Sequence, residues 1–379
     1  MSVQRPMTTP TERQRRERRA SLPIAGLAIL AVGALAVGAL AGLAFAAPRA
    51  QGSAAGQRPA VARTAAHARA AVPYTNPVFA QDFPDPAAIR VGRDYYAYST
   101  STSWEPQGHI FPILHSTDLV HWRYIGDALA QTPAWALTDF WAPSVIAAGG
   151  RYYMYYVGKG LTQNAHCIGV AVARSPAGPF ADHGMMACGD ARGAGYIDPA
   201  PLIDDNGRGY LYVSVDNPLD SPHPDISVLP LSADLLRESG PRRELFTVSQ
   251  AWEHGIGYTT NEGPFAVKHG HTYDLFYSGA NWQQDYAMGV AYATSPLGPF
   301  TKDAHNPILQ GNARVTGPGG GSLVQAVNGG WWLLYHGWTG GPGYGAGGVR
   351  NLRIDPVTWV GNTVRVRGPS TTPQPTPHE

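Results

Sequence analysis

The stretch DPAPLIDDNGRGYLYVS, residues 198–214, holds a complete structural phrase. An acid and a proline open it, a short apolar run follows, Asp-Asn-Gly makes a turn, and a Tyr-rich run closes it. Asn and Gly tolerate positive φ, so the phrase predicts a β-hairpin. It recurs as DPAAIRVGRDYYAYS from Asp85, APSVIAAGGRYYMYY from Ala142, EGPFAVKHGHTYDLFYS from Glu262 and GPGGGSLVQAVNGGWWLLYHG from Gly317. Aligned on Tyr96, Tyr153, Tyr210, Tyr273 and Trp332, the copies are spaced by 57, 57, 63 and 59 residues. A second phrase follows the hairpin: GVAVARSPAGPF (169–180) and GVAYATSPLGPF (289–300) are near copies, and HSTDLVHW (115–122) holds the same place in the first unit. A fixed period marks a repeat architecture. Five such units, each with three or four short strands, predict an all-β protein built as a five-bladed β-propeller.

Composition agrees. Of 379 residues, 44% are hydrophobic and 15% charged, which supports a sizeable core and excludes wholesale disorder. The 45 Gly, 33 Pro and 19 Tyr favour short strands and tight turns over long helices.

Outside the repeats the chain changes character. Six arginines between Arg5 and Arg19 precede an uncharged stretch from Ala20 to Pro48 that contains Ala44-Phe45-Ala46. This is the pattern of an export signal with a small-x-small cleavage site. The apolar run from Leu22 to Ala47 is also long enough to serve as a membrane anchor. Residues 1–46 are therefore expected to be a signal peptide or signal anchor, and either places the folded part outside the cytoplasm. Residues 47–72 are Ala-rich without periodicity and are expected to be a disordered spacer. The domain is expected over 73–367, and residues 368–379 (GPSTTPQPTPHE) form a Pro/Thr-rich tail that cannot continue a sheet. Loss of residues 1–46 would leave 22 basic and 25 acidic residues, a net charge of −3, which gives no electrostatic case for nucleic acid. The two cysteines, Cys167 and Cys188, are an even pair in an oxidising compartment and predict a disulfide. Nothing in their setting suggests a metal or redox role.

In a propeller the first strand of each blade lines the central channel, so residues at equal places in the repeat converge there. Those places hold Asp85, the Trp141-Ala142-Pro143 run, Asp198, Glu262 and the Gly317-Pro318-Gly319 run. An isolated Asp-Pro pair usually just starts a strand or turn. Three carboxylates at matching positions need another reason, and glycosidic cleavage supplies one. It requires an acid to protonate the leaving oxygen and a base to activate water on the opposite face. A third carboxylate can hold the acid's proton in place. Trp104, Trp141, Tyr196 and Trp282 are candidates to stack on a sugar face, Trp141 foremost because it adjoins a channel position.

These residues resemble a known family. Asn76-Pro77-Val78 followed by Phe83-Pro84-Asp85-Pro86, then Trp141-Ala142-Pro143, Tyr196-Ile197-Asp198-Pro199 and Asn261-Glu262-Gly263-Pro264, look like glycoside hydrolase family 43, in order and along the whole of 73–367. The resemblance implies a five-bladed propeller and an inverting enzyme, with Asp85 as general base, Glu262 as general acid and Asp198 as the residue that tunes and orients the acid. It implies that Arg350, in VRNLRIDPVTW, reaches substrate hydroxyls. The sequence departs from the family in two places. Gly320 stands where many members carry a histidine that helps to hold a central ion or water, which counts against a structural calcium. His336 is left as either a substitute or a hydrogen-bonded core residue. Gly263 stands where alanine is more usual. No cofactor is required. The family acts on arabinan, arabinoxylan and xylan, and the CIGVAVARSPAGPF, GPGGGS and YHGW phrases favour an exo-α-L-arabinofuranosidase over a β-D-xylosidase or endo-arabinanase. A non-catalytic carbohydrate-binding propeller would be expected to have lost one of the three acids. A monomer is expected.

Overall fold

The computed structural model describes residues 72–102, 104, 108–189, 195–216 and 225–377. The expected export segment and spacer lie outside the described residues, apart from Val72.

Five antiparallel sheets follow one another along the chain. Blade I is Ala87–Val91, Asp94–Tyr98, Pro112–Ser116 and Arg123–Asp127. Blade II is Ala136–Ala148, Arg151–Gly160, His166–Ala173 and Ala181–Cys188. Blade III is Gly195–Ile203, Gly209–Asp216, Asp225–Pro230 and Arg243–Thr247. Blade IV is Asn261–His269, Thr272–Gly279, Ala287–Ala293 and Thr301–Lys302, with Leu309–Gln310 added beside its third strand. Blade V is Thr316–Gln325, Trp331–Thr339 and Val349–Val360, and Thr363–Val366 pairs with its third strand. The first strand of the domain, Phe79–Asp82, also pairs antiparallel with Val349–Val360 and closes the ring. All five sequence anchors fall on second strands.

The period persists because each blade can bury its faces only against its neighbours. The core divides into five clusters, one at each seam. Tyr95, Leu114 and Leu334 lie between blades V and I, and Tyr98, Met154 and Tyr156 between I and II. Tyr155, Leu211 and Leu229 lie between II and III, Tyr212 and Leu275 between III and IV, and Phe276, Val290 and Tyr335 between IV and V. The five inner strands touch in a closed cycle around the axis.

One local device recurs in or just before every inner strand. Asp85, Ala142, Asp198, Gly263 and Gly320 all have φ between 40° and 59°. In blades II to V the hairpin register slips at that residue. A bulge of this kind re-aims the backbone and raises local twist. A side chain in the left-handed region is strained, although Asp tolerates it better than most residues.

The Pro/Thr segment expected to trail outside the domain is folded onto it as far as it is described. Ser370 donates its N–H to Asp355 Oδ2 at 3.0 Å and accepts from Asn76 Nδ2 at 2.9 Å, and Gln374 forms a bridge with Tyr74. Prolines exclude a regular ladder, but side-chain and single-bridge contacts need none.

Candidate active site

At one mouth of the ring lies a cavity of about 520 Å³, lined by residues of all five blades. Asp85, Asp198 and Glu262 open into it together with Trp141, His166, Tyr258, Trp282, Tyr286, His336, Tyr344 and Arg350.

The three acids are not symmetry mates. Asp85 and Asp198 occupy the left-handed bulge position, whose counterpart in blade IV is Gly263. Glu262 sits one residue earlier, at the place held by Trp141 in blade II and Ile197 in blade III. It therefore leaves its strand in a different direction from the two aspartates. Gly263 accounts for the departure from alanine, because its φ of +59° is unstrained only for glycine. Its N–H donates to Asp198 Oδ2 at 2.8 Å and so ties the third carboxylate to the residue beside Glu262.

Asp85 is held from several sides. Its Oδ2 accepts from Thr100 Oγ1 at 2.6 Å, and Thr100 in turn accepts the N–H of Ala142 at 2.8 Å. Its Oδ1 faces Arg350 Nη1 at 3.5 Å, and its backbone N–H donates to His336 Nδ1 at 3.1 Å. Asp198 also accepts from Ser214 at 3.4 Å. Burial first, and the charges of Glu262 and Asp85 second, hold the Asp198 carboxyl well above the ordinary range. Asp198 therefore keeps its proton to higher pH than a free carboxyl does. Thr260 Oγ1 donates to Glu262 Oε2 at 3.3 Å.

Arg350 lines the cavity, inside an aromatic cage. Its guanidinium stands 5.3 Å from the ring centre of Trp282, 5.4 Å from Tyr344 and 5.6 Å from Trp338. Nε and Nη2 donate to Tyr344 Oη at 3.1 and 3.0 Å, and that hydroxyl donates to Asp82 Oδ2 at 2.9 Å. Burial opposes its charge, but Asp85, Tyr344 and Asp82 outweigh that and raise the pKa above its ordinary value. Trp141 packs against His166 with ring centroids 4.5 Å apart and planes tilted by 43°, and His166 meets Asp139 at 3.0 Å. Cys167, next to His166, is bonded to Cys188 across a register pair, which ties this wall to the outer strand of blade II.

Tyr196 is a correction. It lies buried in the seam between blades II and III and does not line the cavity. The left-handed residue at 198 breaks the strand's alternation, so Tyr196 and Asp198 do not share a face. Trp104 is not in the lining either: it packs on Phe79 and Phe83 and donates to Asp82 O at 2.6 Å.

His336 and Gly320 explain each other. A Cβ on Gly320 would stand 2.7 Å from His336 Cε1 and 2.9 Å from Asp85 Oδ1. The imidazole thus fills the space beside residue 320. Because Nδ1 accepts the Asp85 N–H, the proton sits on Nε2, which is buried without a hydrogen-bond partner. A protonated ring nitrogen is a donor. It suits a water or sugar oxygen and does not fit calcium, which takes oxygen ligands.

Two predictions follow from this corner. Gly320→Ala should lower kcat/KM by at least ~100-fold, since a 1 Å displacement in a reacting site costs about that much. It should also destabilise by about 1–3 kcal/mol through overpacking. Steady-state kinetics and urea unfolding measure both, and a variant with wild-type kinetics would refute the contact. The second concerns pH. Burial pushes His336 from 6.5 down to about 3, and Asp85 only partly opposes this. The unfolded chain takes up this proton below 6.5 while the folded chain refuses it. The contribution to stability is therefore complete above pH 6.5 and is lost as pH falls toward 3. His336→Gln keeps an acceptor and cannot titrate, so its unfolding midpoint should fall less steeply between pH 7 and 4 than that of the wild type. Asp198 titrates in both proteins and cancels. Parallel curves would contradict a neutral buried imidazole.

The model for "Glycosyl hydrolases family 43" matches residues 74–364. The chain belongs to glycosyl hydrolase family 43. A crystal structure of a thermostable family-43 glycoside hydrolase superposes with a TM-score of 0.72 at 32% identity, covering 81% of this chain and 99% of that one. A non-reducing end alpha-L-arabinofuranosidase of Bacteroides ovatus is 27% identical over 76% of this chain and 52% of its own length. An extracellular exo-alpha-(1->5)-L-arabinofuranosidase of Cellvibrio japonicus is 29% identical over 67% of this chain and 74% of its own. The family 43 chain spans about half the length of several curated relatives that it matches.

Thr100, Tyr286 and Tyr344, which hold or wall this family 43 site, carry no signal in the sequence. Thr100 and Tyr344 lie in connections that share no repeat phrase. Ser214 in the second hairpin strand faces Ile197 as Ser278 faces Glu262, a faint recurrence that could have marked it.

Proposed function

We propose that this family 43 chain is a secreted exo-α-L-arabinofuranosidase that removes arabinose from arabinan or arabinoxylan with inversion. The observation that carries the proposal is the meeting of Asp85, Glu262 and Asp198 from three blades in one cavity beside Arg350. Asp85, tethered by Thr100 and Arg350, accepts a proton from the attacking water. Glu262 gives its proton to the glycosidic oxygen as the bond breaks. Asp198, held by Ser214 and the Gly263 N–H, stands beside the acid to tune and orient it. Arg350, fixed in its cage, binds sugar hydroxyls, and Trp141 and Trp282 flank the ring. No cofactor enters these steps.

The choice of arabinose draws support from the two arabinofuranosidases above, and export from the N-terminal pattern and the extracellular Cellvibrio relative. A β-D-xylosidase is the second reading, favoured by 27% identity to a xylosidase/arabinosidase of Butyrivibrio fibrisolvens. Hydrolysis of 4-nitrophenyl α-L-arabinofuranoside and β-D-xyloside decides between them. Proton NMR of the first-formed sugar reports inversion. Failure to cleave any pentoside or pentosan would remove the proposal.

A further inference from the structure

Tyr286 belongs to no repeat phrase, yet its surroundings are the most constrained in the cavity. The ring is 3% exposed. It lies flat on the glycine run of blade V: a Cβ on Gly319 would come within 2.2 Å of it, and one on Gly317 within 3.5 Å of its own Cβ. It stacks on His336, with centroids 5.9 Å apart and planes 12° from parallel. The hydroxyl end reaches blade IV, 3.8 Å from where a Cβ on Gly263 would stand, next to Glu262 in the lining of the same cavity. Consecutive glycines that admit a ring, and a stacked imidazole that fixes it, place one O–H against one carboxylate. Phenylalanine would fill the same space. A buried hydroxyl that made no hydrogen bond would be costly there.

We propose that Tyr286 is a positioning residue for Glu262, its O–H donating to one carboxyl oxygen so that the other faces the leaving group. When the acid's proton passes to the glycosidic oxygen and the C–O bond breaks, Glu262 becomes a carboxylate. The phenol donates to the charge as it forms, and a preorganised donor is worth most at that moment. Tyr286 keeps its own proton. Burial, and then the negative charges of Glu262, Asp198 and Asp85, hold it well above the ordinary phenol range.

Resting as it does on Glu262 being the acid, this role is tested with Tyr286→Phe and Glu262→Ala side by side. Each is assayed on the dinitrophenyl glycoside of the preferred pentose and on the corresponding disaccharide. Tyr286→Phe should lower kcat on the disaccharide by about 10- to 100-fold, the worth of one hydrogen bond to a charged group. It should leave KM and the dinitrophenyl rate within about threefold, because that leaving group needs little protonation. Loss of a donor to the carboxylate raises the acid's pKa, so the alkaline limb of kcat should move to higher pH. Turnover of the dinitrophenyl substrate shows that the variant is folded. Equal losses on both substrates, no loss, or an unmoved alkaline limb overturns the role of Tyr286. If Glu262→Ala also lacked leaving-group dependence, the assignment of the acid would fall instead.

Discussion

Asp85→Ala lowers kcat by about 10⁴-fold, the upper end of what a positioned general base contributes. The size of the effect follows from how the carboxylate is held. Thr100 at 2.6 Å and Arg350 at 3.5 Å keep it aimed. His336, close by, uses Nδ1 on the Asp85 N–H and presents a donor at Nε2. Asp85→Asn should be as inactive as Asp85→Ala, although it preserves shape and the left-handed backbone, because an amide takes no proton from water. Azide should restore turnover in Asp85→Ala on an activated aryl glycoside. A small anion can enter the vacated space and attack from the side of the base, giving a glycosyl azide of inverted configuration. Residual activity above about a tenth of wild type, or an azide product with retained configuration, would remove Asp85 from its role.

Glu262→Ala produces a loss that depends on the leaving group. On arabino-oligosaccharides, whose departing hydroxyl needs a proton, kcat should fall by about 10³-fold; on a dinitrophenyl glycoside the loss should stay within about tenfold. The alkaline limb of the pH profile should vanish on the activated substrate, since the group that must hold a proton is gone. Tm should change little, because Glu262 is partly open to the cavity and its removal leaves Asp198 with both donors, Gly263 and Ser214. A uniform loss across leaving groups would assign Glu262 to binding or packing instead.

The fold was legible because each blade repeats one chemical sentence, and the repeat survives where every seam needs the same tyrosines and aliphatic residues. The acids were legible for the same reason, but only to within one residue. A linear alignment sets Glu262 beside Asp85 and Asp198, whereas the backbone makes Gly263 their counterpart. Tyr196 was misplaced by the same bulge, since alternation along a strand stops predicting a face where φ turns positive. Tyr286, Tyr344 and Thr100 could not be found, because they lie outside the repeated phrases and meet the acids through contacts between blades. Gly320 was noticed as an omission. Only the position of His336, sixteen residues on and across the hairpin, shows what fills its space.

The strand that closes the ring has a bearing on how the protein is made. Asp82 and Asp85 leave the ribosome near the start of the domain, whereas their partners Arg350, Asn351 and His336 come near its end. Until the last blade is synthesised, Phe79–Asp82 has no sheet to join and blade I has no neighbour on one side. A nascent chain, or one cut short before residue 350, therefore exposes two raw seams and lacks both the arginine and the ring closure that define the pocket. The pocket is thus assembled only once the last blade is in place, and a prematurely terminated product is an open arc with its blade faces exposed.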